Sequence, residues 1–349
     1  MRIAASVAVT ALCVGASEAK SESANITLLN PFVQDEFWQG CAAGAVSAAK
    51  AVGANLVQLD ANNLAQTQAN QLDVTLQKKP DAVLISPLDS NGVVPQLDRA
   101  MKAGINVYAF NTAAPMAKLT ATVAMDEEAT GAAAAARFVE LFKAREQKTG
   151  QKSFKLVHLV GAVATEAVRL RRDGFNKAIA KPVDGITIDM VEVVTDWKPE
   201  VAVNGLQDTL TKGPIDAIFT ESDFLTPFLV PVLTRGGYTA ADGPKHVIIG
   251  GLGGIPGGLK AIRDGWQNFT LNYPIDGMCA SSVRLAAAAH EGKSFAESWQ
   301  AAAKDGGLEV NAPRLVESDK SGPSILLTAN PITAENVDSN VFWANTYKK

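Results

Sequence analysis

Short β-branched runs alternate with longer stretches of helical pattern, twice over, along this chain, and that alternation constrains the fold more than any single motif does. A helix between two strands supplies the crossover of about a dozen residues that parallel pairing needs, so parallel sheets with helices on both faces are expected. In the first series, strands are expected at 26–30, 56–60, 82–86, 106–110 and 120–124, with helices at 37–52, 63–77 and 93–103. Gly53 and Gly104 close two of these helices. The second series places strands at 155–160, 187–194, 217–220, 246–250 and 269–271, and helices at 167–179, 199–210, 226–235 and 257–263. An Ala-rich helix at 276–291 and a strand-like 325–328 precede the terminal segment.

The halves echo each other locally. Lys79-Pro80-Asp81-Ala82-Val83-Leu84 ends a helix and opens a strand, as does Gly213-Pro214-Ile215-Asp216-Ala217-Ile218-Phe219. The fold class that follows is α/β, with two doubly wound parallel-sheet lobes of one topology. The N-terminal lobe is expected to comprise 24–125 and 273–327, and the C-terminal lobe 126–272 and 328–349. No Pro/Ser-rich linker separates them, so three short crossings near Met125, Asn272 and Thr328 are expected to form the hinge.

Composition excludes several functions. With 349 residues, 47% of them hydrophobic and 19% charged, the chain can bury two ordinary cores. The 32 Lys and Arg against 36 Asp and Glu leave no positive excess to neutralise phosphates, so nucleic acid is not an expected partner. Cys13, Cys41, Cys279, His158, His246 and His290 show no metal-ligand spacing, and no metal is expected. No cofactor is expected either. The run Gly250-Gly251-Leu252-Gly253-Gly254 places Pro256 where a dinucleotide fingerprint wants Gly or Ala, and it is read as a tight cleft-lining turn.

Residues 1–19 carry Arg2, an uninterrupted small and apolar run over 3–16, and small residues at Ser17 and Ala19. They read as a signal peptide cleaved after Ala19, which implies export to the periplasm. Cys13 belongs to the removed segment. Cys41 and Cys279, the two that remain, fall on expected helices of one lobe. Export permits a disulfide between them, but Cys is often simply a small apolar residue, and the reading taken is two separate buried thiols.

An enzyme should show a nucleophile, a base or a metal cluster, and no such constellation is found. Asp126-Glu127-Glu128 opens a helical run at 129–144 and is read as favourable to its dipole. His158 lies inside a strand and is read as packing. What remains is a set of aromatic and hydrogen-bonding residues at the C-terminal ends of strands, where open parallel sheets bind ligands. The first lobe supplies Asp35, Trp38, Ser86, Asn111 and Thr112; the second supplies Arg171, Trp197, Ser222, Asp223 and Asn272. Indole faces suit the C–H side of a sugar or polyol, while Asp, Asn and Arg pair with its hydroxyls.

In order and spacing these residues resemble the periplasmic sugar-binding proteins of ABC importers, in the ribose-binding group that shares its core with LacI-type repressors. Phe37-Trp38 with Gly44-Ala45 resembles the family's aromatic pair and first helix, Ile85-Ser86-Pro87-Leu88-Asp89-Ser90 its third-strand motif, and Phe110-Asn111-Thr112 its fourth. Arg171-Arg172-Asp173-Gly174-Phe175, Asp196-Trp197, Ser222-Asp223 and Ile332-Thr333-Ala334-Glu335-Asn336-Val337-Asp338 are similar to later segments. The resemblance implies a type I periplasmic binding fold and a ligand contacted by Asp35, Phe37, Trp38, Ser86, Asn111, Thr112, Arg171, Trp197, Ser222, Leu252 and Asn272. Two departures stand out: the family usually has a carboxylate after the Gly that ends the strand at Ile249, where Gly251-Leu252-Gly253 offers none, and Thr112 stands where the ribose binders have Arg. They point to a polyol, a deoxysugar or a related polar molecule. The implied function is non-enzymatic capture of that ligand, by a monomer, for an inner-membrane ABC permease; a sensor passing its closed state to a receptor is the alternative.

Overall fold

The computed structural model describes residues 22–347 except 241, 242 and 244. The signal segment expected at 1–19, with Cys13, lies outside the described residues. The first sheet is built from β1 (Asn25–Asn30), β2 (Asn55–Asp60), β3 (Ala82–Ile85), β4 (Asn106–Asn111) and β5 (Ala121–Met125). They alternate with α1 (Glu36–Val52), α2 (Ala65–Gln77) and α3 (Val94–Lys102). The chain then passes through α4 (Glu127–Thr149) into the second sheet, made by β6 (Ser153–Val160), β7 (Thr187–Val194), β8 (Ala217–Thr220), β9 (Ile248–Gly253) and β10 (Phe269–Asn272). Its helices are α5 (Glu166–Ile179), α6 (Pro199–Thr211), α7 (Thr226–Arg235) and α8 (Pro256–Arg263). Next, α9 (Ile275–His290), α10 (Phe295–Asp305), β11 (Arg314–Val316) and β12 (Ser324–Leu327) return to the first sheet, and β13 (Asn330–Thr333) crosses back to the second.

The strand orders are β11-β12-β5-β4-β3-β1-β2 and β13-β10-β9-β8-β6-β7. Within each, the five alternating strands run parallel in the order second, first, third, fourth, fifth, so the two lobes share one doubly wound topology. Only the late edge strands pair antiparallel, β11 with β12 and β13 with β10. The buried strands read as near-continuous apolar runs such as Ala82–Ile85 because helices cover both faces. Tight helix pairs hold each lobe. A Cβ at Gly44 would lie 2.2 Å from the Asp276 carbonyl oxygen, so α1 and α9 approach to a distance only glycine permits; Gly131 plays the same part between α4 and α5, against Arg171 O. Near the chain end, the Trp343 indole N–H donates to Tyr273 O at 2.8 Å and its ring packs on Gly40 of α1.

Two expectations are corrected. Cys41 of α1 and Cys279 of α9 are not separate thiols; they form a disulfide, with Cα atoms 5.3 Å apart. The helix packing that Gly44 allows brings them within bonding reach. The glycine run is not a tight turn from its start, since β9 continues through Gly253 and only Gly253 and Gly254 adopt positive φ.

Candidate ligand-binding site

The segments that leave the C-terminal ends of the strands in both sheets line one cavity. About 70 Å³ of it can hold the centre of a water molecule. At about 10–15 Å³ of such space per water, that is room for roughly five to seven waters, the bulk of one small ring or a short chain. The first lobe contributes Asp35, Phe37, Trp38, Asn111 and Thr112 of the expected residues, and the second contributes Arg171, Trp197, Ser222 and Leu252. Two others stand apart. Ser86 is buried behind the cavity, its carbonyl accepting from Gln68 Nε2 at 2.9 Å. Asn272 is buried against Gly254.

The aromatic faces are fixed by local structure. Trp38 lies on α1, edge-on to Phe37 at 5.0 Å between ring centroids and to Phe110 at 6.4 Å. Trp197 comes from the other lobe, in the loop after β7, where its ring covers Gly161 so closely that a Cβ there would sit 2.6 Å from the indole. Thr195 holds the loop, its hydroxyl donating to Val160 O and accepting from Trp197 N–H. Asp196 and Trp197 have φ of 48° and 57°, and Asn111 and Asn63, also on the cavity wall, have 60° and 56°. Left-handed backbone at a bulky residue costs energy and tends to gather where a side chain must be aimed at a ligand.

Asp35 is the N-cap of α1, Oδ1 accepting from Phe37 N–H at 2.9 Å. Burial, with Glu36 and Asp223 nearby, pushes its carboxyl up to about 7. Asp223 does not line the cavity. It is fully buried and accepts from Gln267 Nε2, Thr270 Oγ1 and Gly254 N–H, so it holds the glycine run in shape. That bond engages the Gly254 amide, while Leu252 and Gly253 form cavity wall.

Arg171 does not project alone. Its Nη1 donates to Glu127 Oε2 at 2.9 Å and Tyr273 OH at 3.0 Å, and its Nη2 to Glu221 Oε2 at 3.4 Å, all four side chains being buried. Tyr273 OH also donates to Glu127 at 2.7 Å. Burial opposes the Arg171 charge, but Glu127, Tyr273 and Glu221 outweigh it and hold the guanidinium protonated. Burial pushes Glu127 up to about 7 against the pull of Arg171. Glu221 is held below the usual carboxylate range, Arg171 and His158 outweighing its burial. His158 is thus more than packing: its ring stacks on Phe219, and its Nε2 lies 3.1 Å from Glu221 Oε1. The reading of Glu127 as a helix-dipole residue is also corrected, since its side chain turns inward to Arg171.

Sequence reasoning missed Glu221 and Tyr273 on the cavity wall. Glu221 precedes the Ser222-Asp223 pair that was singled out, and it supplies a carboxylate to the cavity wall, where Leu252 has none. Among the described residues, no cluster of His, Cys, Asp and Glu is arranged to hold a metal, and no helix is long and apolar enough to cross a membrane.

Residues 26–294 match the family described as periplasmic binding protein domain. The ribose import binding protein of Salmonella typhimurium is 27% identical over 287 residues, covering 82% of this chain and 91% of that protein. The xylitol-binding protein of Mycolicibacterium smegmatis is 29% identical over 219 residues, 62% of this chain and 58% of that one. Among solved structures, an ABC transporter solute-binding protein from Agrobacterium vitis, bound with α-D-tagatopyranose, superposes with a TM-score of 0.73 at 20% identity, covering 92% of this chain and 98% of that one.

Proposed function

The chain belongs to the periplasmic binding protein family, and from that membership and its cavity we propose that it captures a small sugar, polyol or related polyhydroxylated molecule for an ABC transporter. The observation that carries the reading is that neither lobe completes the cavity: Trp38 and Asp35 come from one, Trp197 and Arg171 from the other. Two indoles can cover the apolar sides of a ring or carbon chain, while Asp35, Asn111 and Thr112 offer acceptors and donors to its hydroxyls. The lobes that move are residues 24–125 with 273–327, and 126–272 with 328–349, rotating about the three crossings. The ligand leaves unchanged, because the site binds and performs no chemistry. The segment at 1–19 directs export and is cleaved in the process, and the protein works in the periplasm as a monomer that presents its closed form to the permease.

A thermal-shift screen over D-ribose, xylitol, D-xylose, myo-inositol and deoxysugars tests this directly. A ligand at 100 times its Kd stabilises the folded state by about 2.7 kcal/mol, a shift of several degrees. At least one member should produce that shift, and the same ligand should reduce the radius of gyration in small-angle scattering. No shift with any member, or an unchanged scattering profile at saturation, overturns the reading.

A further inference from the structure

Two of the contacts that join the lobes without lining the cavity end on a helix N-terminus. Ser90, in the first-lobe loop after β3, is fully buried. Its hydroxyl oxygen accepts from Glu166 N–H at 3.0 Å, and its own N–H donates to Ala164 O at 3.3 Å. Glu166 is the first residue of α5 in the second lobe. The residue placed to cap that helix, Thr165, makes no side-chain cap bond; its hydroxyl donates back to Ala162 O instead. Glu36 of α1 repeats the arrangement, its Oε2 accepting from Gly257 N–H at 2.9 Å. Gly257 is the second residue of α8; Pro256 before it has no N–H, and the N-cap, Ile255, has no side chain able to accept.

A helix leaves its first four N–H groups without intrahelical partners, and a side-chain acceptor at the cap normally serves one of them. Here α5 and α8 draw that acceptor from the opposite lobe. Glu36 adds a negative charge at the positive end of the α8 dipole. Both helices adjoin the cavity: α5 carries Arg171, and α8 follows the Leu252-Gly253 wall.

We propose that Ser90 and Glu36 set the strength of ligand capture from outside the cavity, by capping across the cleft two helix ends whose own N-cap residues make no side-chain cap bond. The bonds exist only while the lobes are closed, so they bias the open–closed equilibrium without touching the ligand. This rests on the proposed function, since it takes the cleft to be the one that closes on ligand.

Ser90→Ala and Glu36→Ala, singly and together, are compared with the parent, with Glu36→Gln keeping an acceptor but no charge. Loss of one cap corresponds to about 2- to 30-fold in an equilibrium constant. Calorimetry with the tightest-binding panel member should show Kd raised by that factor in each Ala variant, and less in Glu36→Gln. The rise should lie in the dissociation rate. Thermal unfolding without ligand should stay close to the parent, because in the open form water serves both helix ends; a residue that merely stabilised its own lobe would lower it. Amide exchange at Glu166 and Gly257 in the ligand-saturated protein gives a second readout, and each amide should exchange faster there once its cross-lobe acceptor is removed. Parent-like Kd, dissociation rate and exchange in the double variant overturn the proposal while the proposed function stands. If no panel member binds the parent, the proposed function fails, and this proposal, which rests on it, fails with it.

Discussion

Three acidic residues open α4, and each does something different because successive helical side chains point about 100° apart. Asp126 caps the helix through Ala129 N–H, Glu128 pairs with Lys177 in solvent, and Glu127 turns inward to Arg171 and Tyr273. The magnitudes separate the dipole role from the buried one. An acid in the first turn contributes about 0.3–1 kcal/mol, whereas removing one partner of a buried ion pair costs about 3–5 kcal/mol. Glu127→Ala should therefore destabilise by the larger amount in urea unfolding at pH 8, with Glu128→Ala close to neutral; a loss under 1 kcal/mol for Glu127→Ala would return it to the dipole role. At this scale the sequence was legible where a residue sits at a strand end with its chemistry showing, as with Asp35, Trp38, Asn111 and Trp197. It was not legible where partners are long-range. Nothing local says that Glu127, Arg171, Glu221 and Tyr273, up to 146 residues apart in sequence, converge on one point.

Elements were legible wherever a period or a stop signal marks them, so the ten alternating strands fall within a few residues of their expected places. The short edge strands β11 and β13 carry too few residues to show alternation, and their pairing is decided by the neighbours they meet. Helix α10 is different: Ser294 and Glu297 form a capping box, a signal written in the sequence that the reading passed over. The disulfide between α1 and α9 could not be read, because its cysteines are 238 residues apart and only helix packing brings them together. Its effect is open to measurement. Closing so long a loop restricts the unfolded chain, and native disulfides contribute about 2–5 kcal/mol. Cys41→Ser/Cys279→Ser should unfold at a lower temperature than the oxidised parent by that equivalent, and thiol titration of the unfolded, non-reduced chain from residue 20 onward should find none free. Two titrating thiols would show that the bond does not form.

On the scale of the whole molecule, the two-lobe plan was legible because the same alternation occurs twice and both sheets place their C-terminal strand ends toward one cleft. What closure does to charge was not legible, since it depends on which side chains the two lobes bring together. Asp35 belongs to the first lobe and Asp223 to the second, and each buried carboxylate raises the cost of ionising Asp35, whose carboxyl is pushed up to about 7 chiefly by burial. In an open cleft, facing water, Asp35 should titrate near the ordinary value of about 3.9. Closure then favours the protonated carboxyl. The preference is absent below about pH 4, where Asp35 is protonated in both forms, and above about 7 the full cost of burying its charge weighs on the closed form. Affinity should therefore strengthen as pH falls from 8 toward 5, by at most about tenfold per pH unit, with uptake of up to one proton per ligand bound. Glu127, also held near 7, faces Arg171 and Tyr273 rather than Asp35, so Asp35→Asn separates the two: it should flatten the profile even if affinity itself falls. Calorimetry in buffers of different ionisation enthalpy measures the linked proton directly. Affinity that is level between pH 6 and 8, with no proton taken up, would mean that Asp35 stays ionised against the ligand and that its hydroxyl partners, not burial, govern its charge.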